Sequence, residues 1–290
     1  MPSWAGDAMA VGCAVAWAFA VLFFRRARSV DPAALNVFKN LVAIALLFLT
    51  MIAFGIGLEV RRSAADWARL VVSGVLGLAI ADTLFLAGLR RVDAAVVALS
   101  DCAYAPTVLV LSVLLLGEEP RPGLWIGAPL VVLGLVIVAW EPRRDRPIDR
   151  GGLGLALAGV VTTAVGVVVA QPALRQSDLI EATAVRLVAG TAALMATQLF
   201  LGRGRVALSL LHPQPMWRAA LPGAVLGTYV AMILWLGGMK YGTASRAALL
   251  NQTGAVFVLV LSRWMGEPVS ARRWLGAAVA LAGVAIVVAA

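Results

Sequence analysis

Long apolar runs separated by short polar breaks occupy almost the whole chain. Runs such as 10–24, 41–56, 70–89 and 276–290 hold very few charged positions. A helix needs about 20 apolar residues to cross about 30 Å of hydrocarbon, and it satisfies its own backbone hydrogen bonds there. The pattern therefore predicts ten transmembrane helices, with approximate bounds 4–24, 33–56, 68–89, 93–116, 124–140, 152–171, 180–201, 217–239, 243–265 and 273–290.

The second half of the chain repeats the first. At an offset of 149 residues Trp125 corresponds to Trp274, and at an offset of 147 Lys39 corresponds to Arg186. Further matched pairs are Gly117-Glu118 with Gly266-Glu267, Gly74 with Gly223, Gly88 with Gly237, and Asp31 with Asp178. Agreement of Gly, Trp and charged residues arises by chance far less often than agreement of Ala, Val and Leu. The chain therefore contains an internal duplication.

Each repeat contains five predicted helices, so the second repeat must enter the membrane in the opposite orientation. Inverted repeats of this kind are typical of secondary transporters, whose substrate site lies near mid-membrane between the repeats. We therefore predict an all-α polytopic membrane protein with ten transmembrane helices arranged as two inverted five-helix repeats. The repeats are 1–141 and 151–290, and the polar segment 142–150 links them.

Composition excludes several other classes of protein. Charged residues make up 13% of the chain, against about 25% in soluble domains. We assign the net charge of +9 to loops that face lipid headgroups, and we expect no nucleic-acid partner. Cys13 and Cys102 lie in different predicted helices and His212 is the only histidine. We therefore expect no metal site, no cofactor, no disulfide framework and no enzymatic Ser/His/Asp arrangement.

Several short motifs occur in a set order along the chain. Trp17-Ala18 lies in the first helix, Asp31-Pro32 precedes a second helix that carries Lys39, and Gly117-Glu118 precedes a Trp-x-Gly helix at 125–127. In this order, within a 5+5 inverted repeat, the chain resembles the EamA family of the drug/metabolite transporter superfamily over essentially its full length. One departure is the alanine after Trp17, where the family usually has glycine.

The resemblance implies a central pathway lined by helices 1–4 and 6–9, with helices 5 and 10 outside it. The sequence agrees, because helices 5 and 10 contain almost no polar residues beyond their ends. They carry a seam of small residues, Gly127 to Gly134 and Gly276 to Gly283, which suits close helix contact. Packing within one chain and a dimer interface are both consistent with this seam, so the sequence leaves open a monomer or a homodimer.

Polar residues inside the predicted helices are the candidate functional residues, because a charge near the bilayer centre costs about 2.5–3.5 kcal/mol on insertion scales. Asn36 and Lys39 share one face of helix 2, and Arg186 occupies the matching place in helix 7. Our predicted substrate-binding residues are Trp17, Asn36, Lys39, Asp101, Tyr104, Arg186, Tyr229, Asn251 and Gln252.

Each candidate also has a structural interpretation. Lys39 or Arg186 could pair with Asp82 or Asp101 to hold helices together, and buried amides could join helices by hydrogen bonds. The two aspartates favour function because the second repeat does not duplicate them. We expect Asp82 to carry any proton coupling, because its predicted place near the middle of helix 3 disfavours the ionised carboxylate.

The sequence favours a secondary transporter over other functions. We expect alternating-access export of a small polar metabolite, such as an amino acid, across a bacterial inner membrane, because the predicted lining combines acidic, basic, amide and aromatic groups. Proton coupling and facilitated diffusion both stay open. The alternatives are a flippase for lipid-linked substrates and a non-transporting scaffold or receptor. An intramembrane aspartyl protease could use Asp82 and Asp101, but the glycine-aspartate context of such enzymes is missing.

Two arguments about orientation disagree. With both termini in the cytoplasm, seven basic residues would lie in cytoplasmic loops and fifteen on the opposite side. The positive-inside rule therefore favours both termini outside, whereas the family resemblance favours both inside. We give the charge count slightly more weight, because the excess is carried by short loops.

Overall fold

The computed structural model describes residues 3–27, 29–89, 91, 100, 102–119, 122–139, 149–264, 266 and 270–289, and all regular structure in these ranges is helical. We number the long helices in chain order. They are α1 Ser3–Arg26, α2 Pro32–Phe54, α3 (Ala64–Gly74, Val75–Ala81 and Asp82–Leu89), α4 Tyr104–Leu116, α5 Pro122–Ala139, α6 Arg150–Gln176, α7 Leu179–Phe200, α8 (Trp217–Ala224, Val225–Val230 and Ala231–Tyr241), α9 (Ala244–Asn251 and Gly254–Trp264) and α10 Ala271–Ala289.

Helix length and hydropathy support a membrane protein. In the described part of the chain, seven helices are long and apolar enough to cross a membrane: Trp4–Phe24, Pro32–Phe54, Ala64–Phe85, Arg150–Gln176, Leu179–Phe200, Trp217–Tyr241 and Ala244–Leu261. Two shorter apolar helices, Tyr104–Leu116 and Pro122–Ile137, accompany them. The all-helical fold is confirmed, while the number of ten spans stays a prediction.

Equivalent N-cap residues precede the second helix of each repeat. Asp31 precedes α2 and accepts a hydrogen bond from the Ala33 backbone at 2.9 Å, and Pro32 occupies the first turn, where a missing N–H costs nothing. Asp178 precedes α7 and accepts one from the Ile180 backbone at 2.8 Å. The aspartates that matched in sequence therefore perform the same local task.

The most extensive helix contacts join one repeat to the other. Helix α1 packs against α8 and α9, and its counterpart α6 packs against α3 and α4. Helices α2 and α7, α4 and α9, and α5 and α10 each pack against their own counterpart. Exchanging the repeats reproduces this set of pairs, as a pseudo-twofold axis in the membrane plane requires.

Two π-helical segments interrupt equivalent helices. Val75–Ala81 lies within α3 and Val225–Val230 within α8, at the same place in each repeat. A Cβ added at Gly190 of α7 would lie 2.5 Å from the Gly74 carbonyl oxygen, so α3 and α7 cross closely where the first segment begins. Such segments are frequent at functional sites. Here they place Asp82 directly after one and Tyr229 within the other.

The small-residue seam is used within the chain. A Cβ added at Gly127 would lie 2.5 Å from the Gly283 carbonyl oxygen, and one added at Gly134 would lie 2.5 Å from the Gly276 carbonyl oxygen. The two backbones can approach this closely only because side chains are missing there. Packing within one chain therefore accounts for the seam, and helix α5 covers the glycines of α10.

We expect Gly134→Leu to destabilise the protein strongly. Overpacking a tight core typically costs about 1–3 kcal/mol, and here the obstacle is rigid backbone, so the cost lies at the upper end or beyond. Thermal unfolding in detergent measures the effect. Gly154→Leu on α6 is the matched control, because nothing lies within 4 Å of a Cβ at that position. Equal melting temperatures for the two variants would contradict the packing described for α5 and α10.

Candidate substrate site

An ion pair joins α2 and α3 inside the helix bundle. The Nζ of Lys39 lies 3.7 Å from Oδ2 of Asp82, and it also donates a hydrogen bond to Oδ1 of Asn40 at 3.1 Å. Asn36, one turn before Lys39, is also a neighbour of this carboxylate. Three predicted residues, Asn36, Lys39 and Asp82, are therefore brought together.

Both side chains of the pair are partly exposed. The Lys39 side chain is 18% exposed and that of Asp82 is 34% exposed. Charged side chains in membrane spans face the protein interior or a water-filled cavity. This exposure therefore indicates a polar crevice beside α2 and α3.

The structure changes the start of the helix that carries Asp82 and keeps its predicted end at Leu89. Ser63 caps α3 by accepting a hydrogen bond from the Asp66 backbone at 3.1 Å, so the helix begins at Ala64, one turn earlier than predicted. Asp82 then precedes Leu89, the last residue of the helix, by seven positions, or about 10 Å along the axis. Its part in proton coupling stays a prediction.

A second charged group lies deeper. Arg186 on α7 is only 3% exposed, and its Cζ lies 5.7 Å from the centre of the Trp235 ring on α8. The Trp235 ring is 6.5 Å from that of Tyr104 on α4, measured between ring centres. The structure thus brings Arg186 and Tyr104 together around Trp235. The sequence placed Trp235 well inside a helix but did not single it out as a site residue.

Several polar atoms of this cluster have no partner. The Nε and Nη1 atoms of Arg186, the Tyr104 hydroxyl and the Trp235 Nε1 are buried and lack a partner of hydrogen-bonding geometry within the described residues. Unpaired buried polar groups are uncommon in folded proteins because each one costs free energy. We call Arg186, Tyr104 and Trp235 the arginine cluster.

The two cations are symmetric in position but differ in surroundings. Lys39 follows the first residue of α2 by seven positions, and Arg186 follows the first residue of α7 by seven. Asp82 neutralises Lys39, whereas its counterpart in the second repeat is Ala231. Among the described residues, Arg186 therefore has an aromatic neighbour where Lys39 has an acid.

The remaining predicted residues lie in different settings. Tyr229 shares a hydrogen bond of 2.6 Å with Thr50 and so ties α8 to α2. Asn251 is partly buried with an unpartnered Oδ1, and Gln252 follows it where α9 is interrupted. Trp17 is half-exposed, and the ring contact described for it is with Phe24 of the same helix.

Asp101 lies outside the described residues, and its proposed role therefore stays a prediction. The described part of the chain contains no group of three His, Cys, Asp or Glu side chains placed to hold a metal ion.

Polar contacts close one face of the bundle. We call this the terminal face, because α1 begins and α10 ends there. Arg246 of α9 donates two hydrogen bonds of 2.8 Å to the carboxylate of Asp7 in α1. Glu118 accepts hydrogen bonds from the Ala244 backbone at 2.9 Å and from the Ser245 hydroxyl at 2.8 Å. Both donors lie at the N-terminus of α9, where the helix dipole favours a negative charge.

A third contact at this face is a buried ion pair. Arg62, in the connection between α2 and α3, pairs with Glu181 in the first turn of α7, and both side chains are almost fully buried. Like the other two contacts, it joins the first repeat to the second. Sequence reasoning missed it, because Arg62 lies in a polar loop and Glu181 resembles an ordinary helix-start residue.

We expect Glu181→Gln to destabilise the protein by about 3–5 kcal/mol, because it leaves the buried Arg62 guanidinium without its main partner. The melting temperature in detergent is the measurement. Glu59→Gln is the matched control, since the exposed Glu59 carboxylate lies 4.0 Å from the same arginine. A Glu181→Gln protein as stable as the Glu59→Gln protein would show that the buried pair contributes little.

Comparison with known proteins follows the division into repeats. The family model described as the EamA-like transporter family matches residues 4–140 and again residues 150–289. The chain belongs to the EamA-like transporter family. The resemblance found in the sequence is thereby confirmed, and with it a two-repeat, multi-pass membrane transporter.

A solved structure supports the fold separately. One crystal structure of another protein superposes with a TM-score of 0.80, covering 97% of this chain and 95% of that chain at 19% sequence identity. At this identity the likeness concerns the fold alone. No curated protein matches the sequence significantly.

Proposed function

We propose that this EamA-family protein is a ten-span secondary carrier that exports a small polar metabolite, such as an amino acid, across a bacterial inner membrane. The observation that carries the proposal is the partly exposed Lys39–Asp82 pair together with the buried Arg186, the counterpart of Lys39 across the pseudo-twofold axis. Polar and charged side chains at these positions suit a small polar substrate.

The inverted repeats support an alternating-access mechanism. The terminal face is tied by contacts that run between repeats, namely Asp7–Arg246, Glu118–Ser245 and Arg62–Glu181. The Lys39–Asp82 pair lies nearer the other face, and both of its side chains are partly exposed. In a protein with inverted repeats, exchanging the conformations of the two halves opens the closed face and closes the open one.

A flippase for lipid-linked substrates is the main alternative, and a non-transporting scaffold or receptor is the second. Uptake and efflux by purified protein in liposomes separate the three. The tests use a panel of labelled amino acids, organic acids and sugars, together with a fluorescent phospholipid. We expect flux of at least one polar metabolite above that of empty liposomes, without phospholipid translocation. Phospholipid movement without metabolite flux would favour the flippase, and neither movement would favour the scaffold.

A further inference from the structure

We infer that the arginine cluster binds the carboxylate of the transported compound. The inference rests on the proposed function, since it names the chemical group by which the substrate is recognised. It assigns Arg186 as the cation that pairs with the carboxylate, and Tyr104 and Trp235 as the groups that border it.

The first argument is that Arg186 has no acidic partner among the described residues. A buried ion without a partner is costly, and within a membrane protein this cost is larger still. The Trp235 ring, 5.7 Å from the guanidinium, offers a cation–π interaction. Such an interaction contributes about 0.5–2 kcal/mol, which is less than an ion pair with hydrogen bonds, and it leaves Nε and Nη1 unsatisfied. A bound anion would supply the acidic partner that the described residues do not provide.

The second argument is the comparison with Lys39 across the pseudo-twofold axis. There the protein supplies its own carboxylate, Asp82, at 3.7 Å. The equivalent position in the second repeat holds Ala231, which has no charge and is buried. One repeat thus holds a complete ion pair and the other holds only its cationic half, within the described residues.

The third argument is the kind of hydrogen-bonding group that stays unpaired. Guanidinium nitrogens and the indole nitrogen can only donate, and a tyrosine hydroxyl can donate as well. The complement of a set of unpaired donors is an anion rich in acceptors. Arg186 balances one negative charge, and planar carboxylates match guanidinium groups well. These features favour a monocarboxylate over a polyanion.

Ligand-induced stabilisation of purified protein in detergent tests the inference without any transport step. The probes are benzoate and benzamide, which share a ring and differ in charge, and acetate as a smaller carboxylate. We expect benzoate or acetate to raise the melting temperature of the parent protein in a concentration-dependent way, as preferential binding to the folded state requires. Benzamide should leave the melting temperature unchanged.

Arg186→Met should weaken carboxylate binding at least about tenfold, because a charge-assisted bond is lost. Its melting temperature without ligand should equal or exceed that of the parent, because an unpaired buried charge has been removed. Arg61→Gln removes one positive charge from an exposed loop position and should keep the parent response. Arg186→Lys keeps the charge but loses the planar geometry, and should bind with intermediate affinity.

Three results would overturn the inference: no stabilisation of the parent by either carboxylate, equal stabilisation of Arg186→Met, or a clear fall in the melting temperature of ligand-free Arg186→Met. The last result would show that Arg186 is structural. A protein that binds carboxylates through Arg186 but moves no metabolite would refute the proposed function alone. Transport together with carboxylate binding that does not depend on Arg186 would refute this inference alone.

Discussion

Replacing either intramembrane cation with methionine should reduce transport at least about tenfold, yet the two variants should differ in stability. Lys39→Met removes the partner of Asp82 and leaves a carboxylate inside the bundle with Asn36 beside it. Arg186→Met removes a cation that has no acidic partner in the described structure. We therefore expect a lower melting temperature for Lys39→Met and an unchanged or higher one for Arg186→Met.

The measurement combines initial transport rates in liposomes with melting temperatures in detergent, after confirming equal membrane insertion. The double variant Lys39→Met/Asp82→Asn is the control, because it removes both charges and should recover most of the stability that Lys39→Met loses. If both single variants instead fail to give folded protein, the two cations hold the helices together and do not act on a substrate.

Asp82→Asn should abolish the response of transport to an imposed pH gradient while sparing substrate exchange. The carboxylate is the only acid that the structure describes near Lys39, and its side chain is partly exposed. A carboxyl that pairs with Lys39 when ionised and is released when protonated can carry a proton between the two faces. Asparagine keeps the shape but cannot take up or release a proton.

Transport rates with and without a pH gradient, in the same liposomes, check this prediction. Asp66→Asn is a matched control, because Asp66 is an acid of the same helix at the terminal face, bonded to Ser63 and Arg69. Gradient-driven transport that persists in Asp82→Asn would show that Asp82 does not carry the proton coupling. A parent protein without any gradient response would be a facilitative carrier.

The duplicated architecture could be predicted from the sequence because a few residue types, such as capping aspartates and packed glycines, indicate the local structure by themselves. Asp31 and Asp178 cap helices, which depends only on the residues next to them in the chain. The glycines of α5 and α10 indicate a close helix contact, whichever helix the partner is. The Lys39–Arg186 match was visible for the same reason, since a charge in an apolar run is conspicuous.

The site was harder to predict, because it depends on helix depth and on contacts between distant residues. The π-helical segment Val75–Ala81 changes which side of α3 faces its neighbours. No simple period of hydrophobic residues in the sequence predicts such a segment. The Arg62–Glu181 pair joins residues 119 positions apart. Trp235 acquires its role only because α7 and α8 bring it to Arg186.

Counterflow in liposomes tests the central claim, that this protein is an alternating-access carrier, most directly. Liposomes are loaded with the unlabelled compound that moved in the panel assay, and a trace of labelled compound is added outside. The account predicts a transient accumulation of label above equilibrium, because outward movement of unlabelled substrate returns the binding site to the outside. Label that enters no faster in loaded liposomes than in empty ones would contradict the account.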